Sequence, residues 1–318
     1  MKNVLITGIG GFVGKHLARH LLSKNNYTIT GTYHSDTGLP QFNDIQDKIT
    51  LVKIDLQDSA AVNDLILKHK PDVIFHLAAQ TSPAESFKNP AYTLTNNIIC
   101  ELNILEFLKN NKLTTRLIII STSETYGLIK PEDLPVDELT QLRPANPYAV
   151  SKIAQDYLAL QYFLSYKVDV VRLRPFNHIG PGQSDKFVVS SFAKQIAQIE
   201  KGQKDPVMKV GNLEAKRDFT DVRDVVGAYE FAVGKAASGE AYNIGQGRSH
   251  AIREILDILL TNATKKIAVE QDPTLIRPVD LPDVVCDATK FSIMTGWKPE
   301  IPVERTVKDI LDYWRSLV

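Results

Sequence analysis

A doubly wound α/β fold, with a smaller C-terminal α/β lobe beside a parallel sheet, is predicted by three features of this 318-residue sequence. An apolar run at residues 2–7 enters a glycine-rich turn that opens a helical pattern. Short apolar strands then alternate with helical stretches to about residue 175. Hydroxyl, amide and small residues gather where those strands end, which is where ligands bind in an open parallel sheet.

Composition narrows the function. Thirty-seven basic residues balance 37 acidic ones, so no nucleic-acid or membrane-surface partner is expected. No run reaches the roughly 18 apolar residues of a membrane span. The first strand follows Met1 directly, with no charged leader and apolar segment before it, and a cytoplasmic location is expected. Cys100 and Cys286 stand alone in apolar settings and read as reduced core thiols, with no metal site.

The first strand, Val4-Leu5-Ile6, leads into Gly8-Ile9-Gly10-Gly11-Phe12-Val13-Gly14 and a helix over 15–23. Glycines at 8, 11 and 14 allow a tight turn, close approach of a pyrophosphate and packing of helix on sheet, while the helix N-terminus favours negative charge. A dinucleotide is the expected ligand. The second strand, 27–32, ends without the acidic residue that would grip the ribose 2′-hydroxyl of NAD and repel the 2′-phosphate of NADP. Thr32 and Tyr33 are uncharged, His34 and Ser35 can donate, and Asp36 comes late. NADP(H) is favoured and NAD(H) stays open, since no arginine follows and His34 also reads as an exposed loop residue.

The third strand, 51–55, ends in Asp55-Leu56, placed to meet an adenine ring. The fourth, 72–77, exits through His76-Leu77-Ala78-Ala79-Gln80, whose small residues let a cofactor lie against the backbone. The helical stretch 91–110 carries more apolar residues than one stripe needs and therefore packs on two partners. The fifth strand, 116–120, delivers Ser121-Thr122-Ser123-Glu124 at its carboxyl end. There Thr122 could hydrogen-bond a carbonyl and Glu124 could carry a proton, although such a cluster also suits a turn or helix cap.

Asn146-Pro147-Tyr148-Ala149-Val150-Ser151-Lys152 begins the next helix, with proline in its first turn. Tyr148 and Lys152 fall four residues apart on one face. A cation near a phenol favours its ionised form and brings it towards acid/base work near neutrality. Spacing alone is weak evidence. Tyr126 and Lys130 share it, but Gly127 and Pro131 mark that segment as a loop. The apolar surface of the helix beyond Lys152 wants a second partner, and together with the 92–110 helix it predicts a homodimer through a four-helix interface.

After a sixth strand, 169–174, the alternation becomes irregular. Residues 175–183 read as a loop, 187–199 as a helix, 210–219 as a turn-rich basic segment and 242–245 as a returning strand, with the remainder helical. Arg217 and Arg277 are candidate anion clamps, since arginine grips a diphosphate bidentately. The expected division is 1–175 with 218–248 for the dinucleotide, and 176–217 with 249–318 for the substrate.

Gly8-x-x-Gly11-Phe12-x-Gly14, Asp55-Leu56, His76-Leu77-Ala78-Ala79, the hydroxyl cluster closing in Tyr126-Gly127 and Tyr148-x-x-x-Lys152 occur in the order found in the extended short-chain dehydrogenase/reductases. The chain resembles that family over essentially its whole length. The resemblance implies a Rossmann-like domain and a catalytic set of Thr122, Tyr148 and Lys152 with Glu124 as neighbouring acid/base. It implies that Gly8, Gly11, Phe12, Val13, Gly14, His34, Asp55, Leu56, Leu77, Ala78, Ala79 and Pro175 hold the cofactor, with Tyr148 and Lys152. It further implies a nucleotide sugar held by the C-terminal third. Within the family, residues 174–183 and 210–224 are similar to enzymes that reduce GDP-4-keto-6-deoxy sugars, which implies GDP contacts from Asn177, Lys194, Arg217 and Arg277; a 6-deoxy-heptose remains an alternative sugar. A 4,6-dehydratase of this branch typically continues Asn-His with Glu-Ser-Pro and two arginines, where this sequence has Ile179-Gly180-Pro181-Gly182.

Overall fold

The computed structural model of the protein describes residues 1–36, 42–275 and 281–318. Its first six strands are β1 (Lys2–Thr7), β2 (Tyr27–Tyr33), β3 (Ile49–Lys53), β4 (Val73–His76), β5 (Arg116–Ile120) and β6 (Val170–Pro175). The later strands are β7 (Asn177–Ile179), β8 (Val207–Val210), β9 (Lys216–Asp221), β10 (Ala241–Ile244), β11 (Ser249–Ala251) and β12 (Ala268–Gln271). Seven strands pair in the order β10-β6-β5-β4-β1-β2-β3, every pair parallel. The predicted fold class is therefore the one found.

Helices cover both faces because β1 and its neighbours are apolar in alternation on each side. On one face α1 (Phe12–Ser23) presents Leu17 and Leu21 to Val4 and Ile6, as do Val225 and Tyr229 of the later helix 222–235. On the other, α2 (Ser59–His69) and α4 (Pro90–Asn110), which follows the short α3 (Pro83–Lys88), join α5 (Pro147–Tyr166) over Leu5, Ile74 and Leu117. A second core lies beyond the sheet's carboxyl edge. There α6 (Val188–Glu200) packs with the helices 252–261 and 303–317 through Phe192, Ile196, Leu259 and Ile310. The remaining helices in order are α7 (Val222–Lys235), α8 (Ile252–Thr261), α9 (Thr289–Thr295) and α10 (Val303–Leu317).

Two expectations for the C-terminal part are corrected. Residues 216–219 of the supposed turn-rich segment belong to β9, which pairs with β7 and β11, and the supposedly helical remainder contains β11 and β12. β9 is buried along its last four residues and β12 is exposed along all four, so neither alternates, and β11, with three residues, is too short to write a period of two into the sequence.

The helix α5 is fixed to the sheet by charge as well as by packing. Asp156, fully buried, accepts from Arg172 at 2.6 Å and from Arg174 at 2.9 and 3.0 Å. Although burial alone raises it, the Arg174 and Arg172 guanidiniums hold the Asp156 carboxyl below its usual range. Removing one member would leave two buried cations without their partner, so Asp156→Ala should destabilise the fold by about 3–5 kcal/mol. Chemical denaturation checks this. Because the folded carboxyl's pKa is depressed, its contribution is complete above the unfolded pKa and lost as pH falls through the folded value.

Candidate active site

Chain order reverses between β1 and β4, and there a cavity of about 680 Å³ opens at the carboxyl ends of the strands. Its near end is the glycine turn. Gly8 has φ of +68°, and a Cβ there would stand 2.9 Å from the Ala78 backbone, so only glycine fits between the β1 and β4 exits. A Cβ on Gly14 would meet the Ile9 carbonyl at 2.6 Å. No side chain caps α1 at Gly11, so its first N–H groups face the cavity end unclaimed by a capping side chain. An uncapped helix end behind a glycine cradle fits a dinucleotide pyrophosphate. Phe12, Val13, Leu77, Ala78, Ala79 and Pro175 line the same wall.

Thr122, Glu124, Tyr148 and Lys152 also line this cavity. Local structure places each. Asn146 caps α5 by accepting from the Ala149 N–H at 2.7 Å, and its side-chain amide donates to Glu124 at 3.1 Å, tying the β5 turn to the start of the helix. The Thr122 hydroxyl oxygen accepts from the Glu124 N–H at 3.3 Å. Lys152 donates to the Gln155 side chain at 2.6 Å, and Gln155 donates to the Asn97 carbonyl at 2.8 Å. Asn97 in turn donates to Ser151 at 2.8 Å and accepts from the Gln80 N–H at 2.7 Å, so α4 and the β4 exit hold the first turns of α5.

The electrostatics correct one expectation. Lys152 is turned to Gln155 and is not among the groups that shift Tyr148. Burial pushes the Tyr148 phenol well above its ordinary value, the Glu124 carboxylate adds to this, and the Thr122 hydroxyl opposes it. The phenol is thus held protonated. Burial also lowers the Lys152 ammonium to about 8, against the opposing pull of Glu101 and Asp156.

Other sequence-derived candidates fall elsewhere. His34 is exposed beyond β2, and Asp55 turns its carboxylate onto the Gln57 N–H at 2.9 Å while Leu56 is buried. None of these three lines the cavity. Asn177 and Arg217 line its far end, where Arg217 donates to the carbonyls of Lys216 and Leu281 at 2.7 Å each. Lys194 is paired with Asp185 at 2.7 Å and lies outside the lining. Arg277 lies outside the described residues. The reading of the residues missed His178, whose ring stacks on Phe12 at 6.1 Å, and Lys186, Phe187, Lys209 and Tyr229 on the walls. It also missed Asn97 and Gln155. No local motif marks them, since their roles exist only once α4 and α5 are paired.

The sequence profile of the GDP-mannose 4,6-dehydratase family matches residues 5–310. The chain belongs to this family. Its relatives divide by activity. The chain is 35% identical to the GDP-6-deoxy-D-mannose reductase of Pseudomonas aeruginosa, covering 100% of this chain and 98% of that one. It is 29% identical to the GDP-mannose 4,6-dehydratase of Yersinia enterocolitica, over 98% and 93% respectively. The structure of the enzyme RMD from Pseudomonas aeruginosa, complexed with NADPH, superimposes with a TM-score of 0.87 at 34% identity and full coverage of both chains. The extended short-chain dehydrogenase/reductase resemblance is thereby placed in one branch.

Proposed function

We propose that this protein is an NADPH-dependent reductase of the C4 ketone of GDP-4-keto-6-deoxy-D-mannose, giving GDP-6-deoxy-D-mannose, also called GDP-D-rhamnose. The observation that carries this reading is one cavity whose wall holds the glycine cradle at one end and Thr122, Tyr148 and Lys152 beside it. Full-length identity to a GDP-6-deoxy-D-mannose reductase supports the substrate. The NADPH in the related structure supports the cofactor, and the absence of a carboxylate on β2 agrees with it. Asp36, the nearest acid, is paired with Lys53 of β3 at 2.7 Å. NAD(H) is the less favoured partner. Oxidation of NADPH on mixing with GDP-4-keto-6-deoxy-D-mannose tests the assignment, and no loss of absorbance would refute it.

When bound, the cofactor supplies a hydride to the carbonyl carbon. The chain's own residues manage the oxygen. Tyr148, held protonated by its burial, donates its proton to the oxygen as negative charge develops there. Thr122 would orient that oxygen through its hydroxyl, and Lys152 would hold the ribose hydroxyls of the nicotinamide half. Glu124, exposed in the cavity and bonded to Asn146, sets the start of α5 and is a neighbouring proton carrier. Asn177, Lys194, Arg217 and Arg277 are assigned to the GDP portion. In this scheme 1–175 with 218–248 hold the cofactor, and 176–217 with 249–318 hold the sugar nucleotide.

A homodimer and a cytoplasmic location complete the proposal. No described helix is long and apolar enough to cross a membrane. Tyr92 on α4 and Val150, Tyr157 and Leu164 on α5 are exposed, and pairing the two helices about a two-fold axis would cover them. Light scattering at micromolar concentration should give twice the chain mass, and Tyr157→Glu should return the monomer. A monomeric wild type would refute the four-helix interface.

A further inference from the structure

Among the polar groups buried in the described residues, Glu101 is the carboxyl with both oxygens enclosed and neither in a hydrogen bond of normal geometry. It lies one turn of α4 beyond Asn97, on the face that packs against α5, and is fully buried. The Gln155 carboxamide beside it gives one N–H to the Asn97 carbonyl and its oxygen to Lys152, and its second N–H is the donor that acts on Glu101. An interior carboxyl without a hydrogen bond of normal geometry is costly to retain, and an ordinary packing role would be filled as well by an apolar side chain. The cation that acts on it is Lys152.

We propose that Glu101 is a positioning residue for Lys152: a buried carboxyl on α4 that supplies the counter-charge needed to keep the Lys152 ammonium protonated inside the protein. The charges around it require one. From α5 the neighbours of Lys152 are Tyr148 and Asp156, and from β6 come Arg172 and Arg174, both bound to Asp156. Two guanidiniums on a single carboxylate leave this interior positively charged before Lys152 is counted. The turn at 123–125 brings Glu124, which acts on Tyr148, and β4 brings His76, which burial holds neutral, its pKa lowered to about 3. On α3 the charged pair Glu85 and Lys88 is solvent-exposed, and Arg116 of β5 is paired with Asp169. Asp55 acts on Cys100 at the far side of α4. Glu101 is the remaining buried carboxyl.

The proton balance follows. Burial raises the Glu101 carboxyl well above its usual range while Lys152 opposes this, and burial lowers Lys152 while Glu101 and Asp156 oppose it. The two groups are coupled: the ammonium favours the carboxylate and the carboxylate favours the ammonium. With an amide at 101 that support for the Lys152 charge is gone.

The role of Lys152 in turnover rests on the proposed reaction, but its titration does not. In protein carrying 13C-lysine, the Cε resonance of Lys152 is assigned by its absence from Lys152→Arg. Glu101→Gln, close in shape, should move its titration midpoint down by about one pH unit, a tenfold change in proton affinity. Glu101→Met should move it the same way, which keeps the test open if one variant folds poorly. The alkaline limb of kcat/KM should shift equally, with little change at its plateau. A Lys152 midpoint unchanged in both variants would overturn the inference. A shifted midpoint in a protein that reduces no GDP-4-keto sugar would refute the proposed reaction and leave this role of Glu101 standing.

Discussion

Tyr148→Phe is expected to lower kcat by about 10²–10⁴-fold, the contribution of a positioned general acid, while leaving NADPH affinity nearly unchanged. The phenol oxygen is the only atom removed, and the ring remains buried at the start of α5. The anchoring of that turn does not depend on the hydroxyl: Asn146 caps it, Asn97 holds Ser151, and the Ser151 hydroxyl donates to the Tyr148 carbonyl at 2.7 Å. Fluorescence titration with NADPH and steady-state kinetics separate the two effects. Wild-type kcat in the variant would remove Tyr148 from the reaction. The direction of the Tyr148 shift also bears on pH dependence. A donor raised by burial stays protonated through the physiological range, so loss of activity on the alkaline side should follow Lys152, lowered to about 8, and not the phenol.

That distinction was not available from the four-residue spacing of Tyr148 and Lys152. On a straight helix the pair shares a face, and direct contact is the natural inference. In the folded chain the lysine reaches instead to Gln155 on its own helix, which is itself held by the Asn97 carbonyl of α4. The first strand, the glycine turn and α1 were legible because strand, turn and helix are contiguous and their sterics local. The gathering of Thr122, Glu124, Tyr148 and Lys152 was legible by a topological rule, that parallel strands deliver their exits to one edge. The far wall was not. There β7 and β8 are short, β9 pairs only with short strands, and side chains such as Lys186 and Lys209 reach the cavity from elements that long-range pairing alone brings together. Lys53 escaped notice for the same reason: it lies on β3, beside the end of β2, and parallel pairing brings it to Asp36.

The chain should consume one NADPH for each GDP-4-keto-6-deoxy-D-mannose reduced and should leave GDP-D-mannose untouched. The family contains both reductases and dehydratases, so the outcome turns on how this chain treats its cofactor. A dehydratase takes a hydride from the sugar and returns it within one cycle, and so gains by never releasing its cofactor; basic residues around the 2′-phosphate serve that retention. A reductase must exchange cofactor at every turnover. Here the segments 32–36 and 177–183 contain neither arginine nor lysine. The cation that the fold brings to the end of β2, Lys53, is already neutralised by Asp36. Such an edge holds an NADPH that comes and goes. Glu124, a carboxylate able to carry a proton in an elimination, is present in the cavity, so cofactor retention and not a missing acid separates the two activities. Chromatography of the nucleotide sugars decides between them: appearance of the 4-keto sugar from GDP-D-mannose, with no cofactor added, would establish a dehydratase and overturn the reductase assignment.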